Sequence, residues 1–195
     1  ELLDRLIASG AQIYGVTTGF GASCETNVPP DLSTQLAANL VRFHGCGTGR
    51  FLDEAEAAAV MVVRMASLAQ GKSGVRPMLL ERMCELLNRR ILPRIPAEGS
   101  VGASGDLTPL SYIAATLIGE REVSVGIQRS GFGVQAARVA ECPEPRTPNP
   151  TPKILSSADA LKAAGLAPIA LRPKESLALM NGTSVMTGLA CLAIE

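Results

Sequence analysis

From Glu54 to Ala69 the chain is written almost entirely in Ala, Val, Met and Leu, with Arg64 the lone charge after Glu56. Such a run packs as a helix against other helices, because Ala and Leu lead the helix-propensity scale. The rest of the chain has the same character. Apolar residues make up 47% of its 195 residues and aromatic ones only 3%, so the core must be filled by Ala, Leu, Val, Ile and Met. The length suits one domain or a large piece of one. The fold class read from this is mainly α.

Glycine and proline divide the chain into segments. Leu2–Ser9 reads as a helix stopped by Gly10. Tyr14–Gly21 holds three glycines and two threonines in eight residues and reads as a loop. Pro29-Pro30-Asp31 opens a helix to about Phe43, with Leu32, Leu36, Leu40 and Phe43 at helical spacing. Gly45–Gly49 breaks it. Asp53 stands where an N-cap for the helix Glu54–Ala69 belongs. Arg76-Pro77 opens a further helix to about Arg90, and Asn88-Arg89-Arg90 reads as its solvated end. Pro93 and Pro96 mark an extended connection. Thr108-Pro109 suits the first turn of a helix Leu110–Ile118. Glu122–Ile127 reads as a short strand. Residues 141–153 carry prolines at 143, 145, 148, 150 and 152, which predicts an extended, exposed, mobile segment. Ala158–Gly165 is helical by pattern, Lys174–Met180 leads up to Asn181, and a last helix follows. Glu1 falls inside one amphipathic pattern and Leu189–Ile194 inside another, so residues 1–195 read as a piece cut at both ends.

Charge and cysteine usage narrow the function. Lys plus Arg number 18 and Asp plus Glu number 18, so no basic footprint for nucleic acid is expected. The five cysteines, at 24, 46, 84, 142 and 191, are odd in number, widely spaced and lack a Cys-x-x-Cys pair. They read as reduced thiols in a cytoplasmic protein. His44 is the lone histidine, which predicts no metal site. Arg64 interrupts the longest apolar run, so no membrane span is expected. Gln70-Gly71-Lys72-Ser73-Gly74 looks like the end of a phosphate-binding loop. Ala66 stands where that loop needs its first glycine, however, and a helix pattern precedes it, so no nucleotide site is expected.

One run has chemistry of its own. In Ala103-Ser104-Gly105-Asp106, the Gly105 amide nitrogen can attack the Ala103 carbonyl carbon and close a five-membered ring. Loss of water from the ring and from the Ser104 side chain leaves an imidazolone bearing an exocyclic methylene. Gly105 has no Cβ, so its nitrogen can approach in a backbone shape that other residues avoid. Ala103 is small, Ser104 supplies the leaving hydroxyl, and Asp106 can accept protons or hold the strained turn. The product is an electrophile, which no ordinary side chain provides. If Leu110–Ile118 is helical, the group sits at a helix N-terminus, where backbone N–H groups favour negative charge.

Three segments in this order, Tyr14–Gly21, Ala103–Asp106 and Met180-Asn181-Gly182-Thr183, resemble the aromatic amino acid ammonia-lyases and their aminomutase relatives. Phe43-His44-Gly45-Cys46-Gly47 and Gly119-Glu120-Arg121-Glu122 look closest to the bacterial lyases of aryl-polyene-type clusters. The resemblance implies a helical ammonia-lyase (fumarase/aspartase-like) fold with a minor β-hairpin, of which residues 1–195 are the N-terminal portion. It implies a 4-methylidene-imidazole-5-one (MIO) made from Ala103, Ser104 and Gly105, an aromatic amino acid as substrate, and a homotetramer whose sites draw on several chains. Members usually cross the proline-rich region with a strand hairpin, so that stretch departs from the pattern.

The resemblance also distributes roles. Tyr14 matches the loop tyrosine that takes the substrate's β-proton. A phenol of ordinary pKa, about 10, needs nearby dipoles or positive charge for that work. Read alone, Tyr14 is a half-buried tyrosine with a bonded hydroxyl. Gly19, with Phe20 and Gly21, would let backbone approach the substrate. Asn181 matches an asparagine near the electrophile and the substrate carboxylate; read alone it is a turn former before glycine. Phe43 and His44 match two positions that contact the substrate's ring. A histidine there suits a polar ring substituent, which favours tyrosine or histidine over phenylalanine. A 2,3-aminomutase with the same group, and a non-catalytic piece that never cyclises, stay open as alternatives.

Overall fold

The computed structural model describes residues 2–102, 104–126 and 151–194. Side-chain caps start two of the described helices and a proline a third. The Asp53 side chain accepts the Glu56 N–H at 2.8 Å, and the Glu56 side chain accepts the Asp53 N–H at 2.8 Å. This reciprocal capping box starts α3, Glu54–Ala69. Pro77 occupies the first turn of α4, Pro77–Asn88, where its missing N–H costs nothing. Ser156 caps α6, Ser157–Ala163, through the Asp159 N–H. The remaining helices are α1 (Leu2–Ala8), α2 (Ser33–His44), α5 (Leu107–Leu117), α7 (Glu175–Met180) and α8 (Ser184–Ile194).

α5 forms the centre. Every residue from Pro109 to Leu117 is buried, and the helix packs against α2 on one side and α7 on another. α3 turns Ala57, Val60, Met61, Arg64 and Leu68 inward, and α8 lies along it. Gly188 permits that approach: a Cβ there would meet the Val60 nitrogen at 3.0 Å. Among the described residues, Tyr112 is the one buried aromatic side chain of the core, with Phe20 partly buried against it.

Several boundaries differ from the sequence expectation. Pro30–Leu32 is a separate 3-10 turn, and the α-helix begins at Ser33. α4 stops at Asn88, because Arg90 adopts a positive φ of 53°. The Arg89-Arg90 end is not merely solvated. Arg89 donates to the Ala164 carbonyl, and Arg90 pairs with Glu54 at 2.7 Å. α5 begins at Leu107, with Thr108 and Pro109 in its first turn. The glycine-rich break after α2 and the proline connection both contain strand: β1 (Thr48–Phe51) pairs antiparallel with β3 (Pro96–Glu98). β2 (Ile91–Pro93) pairs with β4 (Glu122–Val125), which pairs with β5 (Lys153–Ser156). The β4–β5 pairing is antiparallel, so the hairpin implied by the resemblance is present at its base. Ile127, the end of the strand read from sequence, and residues 141–150 of the proline-rich segment lie outside the described residues.

Among the described residues, one stretch is long and apolar enough to cross a membrane, Glu175–Ile194, a stretch different from the one that Arg64 interrupts. It is divided at residues 181–183 into α7 and α8. That break carries Asn181.

Candidate active site

The loop before α5 and the break between α7 and α8 meet. Ser104 and Gly105 both lie in the left-handed region, with φ of 58° and 96°. A Cβ on Gly105 would stand 2.7 Å from the Gly182 nitrogen and 2.8 Å from its carbonyl oxygen. Glycine is therefore required at 105 both by conformation and by space. The Asn181 side-chain amide donates to the Ser104 carbonyl oxygen, and the Asp106 N–H donates to the Gly182 carbonyl at 2.7 Å. Ala103 lies outside the described residues. On its C-terminal side stand two successive left-handed residues, the second a glycine without a Cβ, with the Asn181–Gly182 turn pressed against it. These residues fit the MIO group.

Asp106 acts as a clamp in this structure. It is 3% exposed. One carboxylate oxygen accepts the Ser100 hydroxyl at 2.7 Å, and the other accepts the backbone N–H groups of Val185 and Met186 at 3.0 and 3.1 Å. The second set caps the N-terminus of α8 from a residue 79 positions upstream. The Asp106 side chain thus ties the loop before α5 to Ser100 and to the start of α8.

Tyr14 and the Phe43–His44 pair occupy two further clusters. The loop after α1 closes on itself through Thr18, bridged to Asn27, and through the Gly19 N–H, which donates to the Thr26 carbonyl. A Cβ on Gly19 would stand 2.7 Å from the Ser23 carbonyl oxygen, so the loop's own fold demands that glycine. Tyr14 is 54% exposed. The Gly21 N–H donates to its phenol oxygen at 3.0 Å, and Phe20 meets its ring edge-on at 6.2 Å. A Cβ on Gly15 would touch Leu177 at 3.2 Å, which docks this loop on α7.

Phe43 and His44 end α2. Their ring centroids are 5.0 Å apart, and His44 Nδ1 lies 2.9 Å from the Leu40 carbonyl oxygen. A carbonyl only accepts, so Nδ1 is the donor of that bond and Nε2 lies outside it. Phe43 is 59% exposed. The end of α2 is held by the Arg121 side chain, which donates to the Gly45 carbonyl at 2.9 Å and stacks over Tyr112 at 4.7 Å. Arg42 also pairs with Glu120 at 2.7 Å. The Gly119–Glu122 segment is thus what fixes Phe43 and His44.

Arg64 was read in the sequence only as an interruption. It is 3% exposed, its Nη2 donates to the Ala178 carbonyl, and its buried Nε has no partner among the described residues. Burial holds its pKa below the ordinary arginine value. Its position in the stripe 57, 60, 61, 64, 68 is the signal that places it inside, since these numbers recur at the helical period.

Comparison with known proteins agrees with the geometry. The family model "Aromatic amino acid lyase" matches residues 1–195. A histidine ammonia-lyase of Sorangium cellulosum is 45% identical over 196 residues, covering 99% of this chain and 33% of that protein. An MIO-dependent tyrosine 2,3-aminomutase of Streptomyces globisporus is 42% identical over 194 residues, covering 100% of this chain and 31% of that protein. Among solved structures, the tyrosine aminomutase of Streptomyces globisporus superposes with a TM-score of 0.80 at 39% identity, over 99% of this chain and 31% of that one. The histidine ammonia-lyase of Trypanosoma cruzi gives 0.78 at 27% identity, over 99% of this chain and 32% of that one. The chain spans about a third of the length of the curated relatives it matches. With a family model matched from end to end and a shared helical fold, the chain belongs to the aromatic amino acid lyases.

Proposed function

We propose that the full-length protein eliminates ammonia from an aromatic amino acid to give an aryl-acrylate. The observation that carries this reading is the seat of Gly105. It has a φ of 96°, no room for a Cβ, and the Asn181–Gly182 turn packed against it. When formed from residues 103–105, the MIO group supplies an electrophilic methylene that turns the substrate's amine into a leaving group. The chain's own residues do the rest. Tyr14 Oη, held by the Gly21 N–H, accepts the β-proton. Asn181 holds the Ser104 carbonyl and lies where a substrate carboxylate would pass. Gly19 shapes the loop that carries Tyr14. Phe43 packs on the substrate ring, and His44 Nε2 accepts a hydrogen bond from a ring substituent. That donor requirement favours tyrosine or histidine over phenylalanine, whose ring would leave the imidazole unpaired.

The exposed aromatic side chains of Tyr14 and Phe43 support a site completed by other chains of a cytoplasmic homotetramer. The 42% identity to a tyrosine 2,3-aminomutase favours one second reading, in which the ammonia returns to the β-carbon.

The intact mass of the purified full-length protein, with peptide mapping across residues 102–106, tests the group. A deficit of two waters is expected there, and an unmodified mass overturns the reading. Incubation with tyrosine, histidine and phenylalanine then separates the activities: free ammonia with a conjugated acid, or a β-amino acid. Replacing His44 by Phe is expected to lower kcat/KM for the preferred polar substrate at least tenfold and raise that for phenylalanine; unchanged ratios would remove His44 from substrate choice.

A further inference from the structure

We propose that Arg64 is the positioning residue for ring closure at Ser104–Gly105. The inference rests on the imidazolone reading above and adds a residue that neither the motif nor the site contacts include. A guanidinium buried without a carboxylate among the described residues is costly, so its place needs a reason. Its surroundings supply one. Nη2 is tied to the Ala178 carbonyl in the last turn of α7. Gly182 lies directly on the other arm, and a Cβ there would overlap Nη1. Gly182 in turn lies on Gly105, whose own Cβ position is 2.7 Å from the Gly182 nitrogen. The carbonyl of Gly182 also accepts the Asp106 N–H at 2.7 Å. Arg64, Gly182 and Gly105 therefore form three layers in direct contact, two of them lacking side chains so that the layers can touch.

Ring closure forms a bond between the Gly105 nitrogen and the Ala103 carbonyl carbon. The first water carries away the former Ala103 carbonyl oxygen with the hydrogens of the Gly105 and Ser104 nitrogens. The second takes the Ser104 hydroxyl with the Ser104 α-hydrogen. No oxidant or co-reactant is needed. What the step needs is a backbone held in an unfavourable shape, with successive positive φ values at Ser104 and Gly105. A packed interior transmits such a constraint with little give. Arg64 is a rigid, planar fork that backs the turn pressing on Gly105, and a flexible ammonium cannot grip Ala178 and support Gly182 together.

The test is the rate of dehydration in the full-length protein, followed by intact mass after cell-free synthesis, alongside circular dichroism and the thermal midpoint. Arg64→Lys keeps the charge and is expected to fold yet lose its two waters at least tenfold more slowly than wild type. Arg64→Ala is expected to be slower still, and free guanidinium ion in the millimolar range to restore its rate. A cavity of about 320 Å³ lined by Arg64, Asn181 and Gly182 gives that ion a way in. If Arg64→Ala does not fold, the Arg64→Lys rate decides. Dehydration of folded Arg64→Lys at the wild-type rate overturns the inference and leaves the imidazolone reading standing. So does slow dehydration in Arg64→Ala that guanidinium does not relieve. An unmodified wild-type mass overturns both.

Discussion

Gly105 and Asp106 are adjacent in the chain, yet their requirements come from different distances. For Gly105, Ala is the smallest test. Its methyl would enter the Gly182 backbone in a conformation that L-residues avoid, a strain on the order of 1–3 kcal/mol. Gly105→Ala is expected to lower the denaturant midpoint and to keep its full mass; a stable variant short of two waters would show that this seat is not what closes the ring. For Asp106, truncation to Ala leaves the Val185 and Met186 N–H groups without their acceptor. Bonds to a charged acceptor are worth about 1.5–3 kcal/mol each net, so a loss of roughly 3 kcal/mol is expected in urea unfolding. A loss below about 1 kcal/mol would mean that α8 has another cap. The proposed Ala-Ser-Gly chemistry can be read from the sequence alone because all its atoms come from neighbouring residues. The clamp cannot, because its partners lie 79 and 80 residues away and nothing in the local pattern pairs an aspartate with a distant helix end. Arg64 lay between these cases. Its period was readable, but a charge on a buried stripe is easily taken for a break in an apolar run.

Helices were legible wherever a cap or a proline marked them, as with Asp53 and Pro77. Of the short strands, Glu122–Val125 was legible and the others were not. Thr48–Phe51 and Pro96–Glu98 contain Gly and Pro, which argue against strand locally, and only their pairing across the fold makes them extended. The same long reach sets α7. Glu175 is buried at its first turn, and Arg76, just before α4, donates to both carboxylate oxygens at 2.7 Å. Burial alone pushes the Glu175 carboxyl up. The hydrogen bonds from the Arg76 side chain and from the Arg172 and Arg76 backbones outweigh it, so its pKa lies below the ordinary carboxylate range. A carboxylate lowered on folding stabilises the fold above its unfolded pKa, and that contribution is lost as pH falls through the lowered value. Breaking such a pair costs about 3–5 kcal/mol. Glu175→Gln is therefore expected to lower the thermal midpoint at pH 7 and to flatten its decline between pH 5 and 2. Parallel curves for wild type and variant would show that Glu175 does not supply the acid sensitivity. The Arg50–Glu56 pair, which holds the Glu56 carboxyl at about 2, is left intact in both proteins and cancels in the comparison.

At the scale of the molecule, three clusters stand where one site is proposed. Ser104, Gly105, Asp106, Asn181 and Arg64 form one, Tyr14 with its loop a second, and Phe43 with His44 a third. An aromatic substrate has to be taken out of water and flanked on several sides. Two of the three residues proposed to flank it, Tyr14 and Phe43, are more than half exposed in this chain alone. On the proposed reading the further walls come from outside the described residues, and the chain spans about a third of each curated relative. Cyclisation has a different requirement. Arg64, Gly182 and residues 105–106 all lie within the chain and are in contact through Gly182, so this constraint on the loop is present in one molecule. Residues 1–195 prepared alone are therefore expected to show no turnover of tyrosine, histidine or phenylalanine, while the full-length protein turns over one of them. Dehydration at residues 103–105 in that same inactive preparation would place ring formation in the local packing and catalysis in the assembly. Turnover by residues 1–195 within tenfold of the full-length rate would show instead that Tyr14, His44 and Asn181 already converge on substrate without further chain.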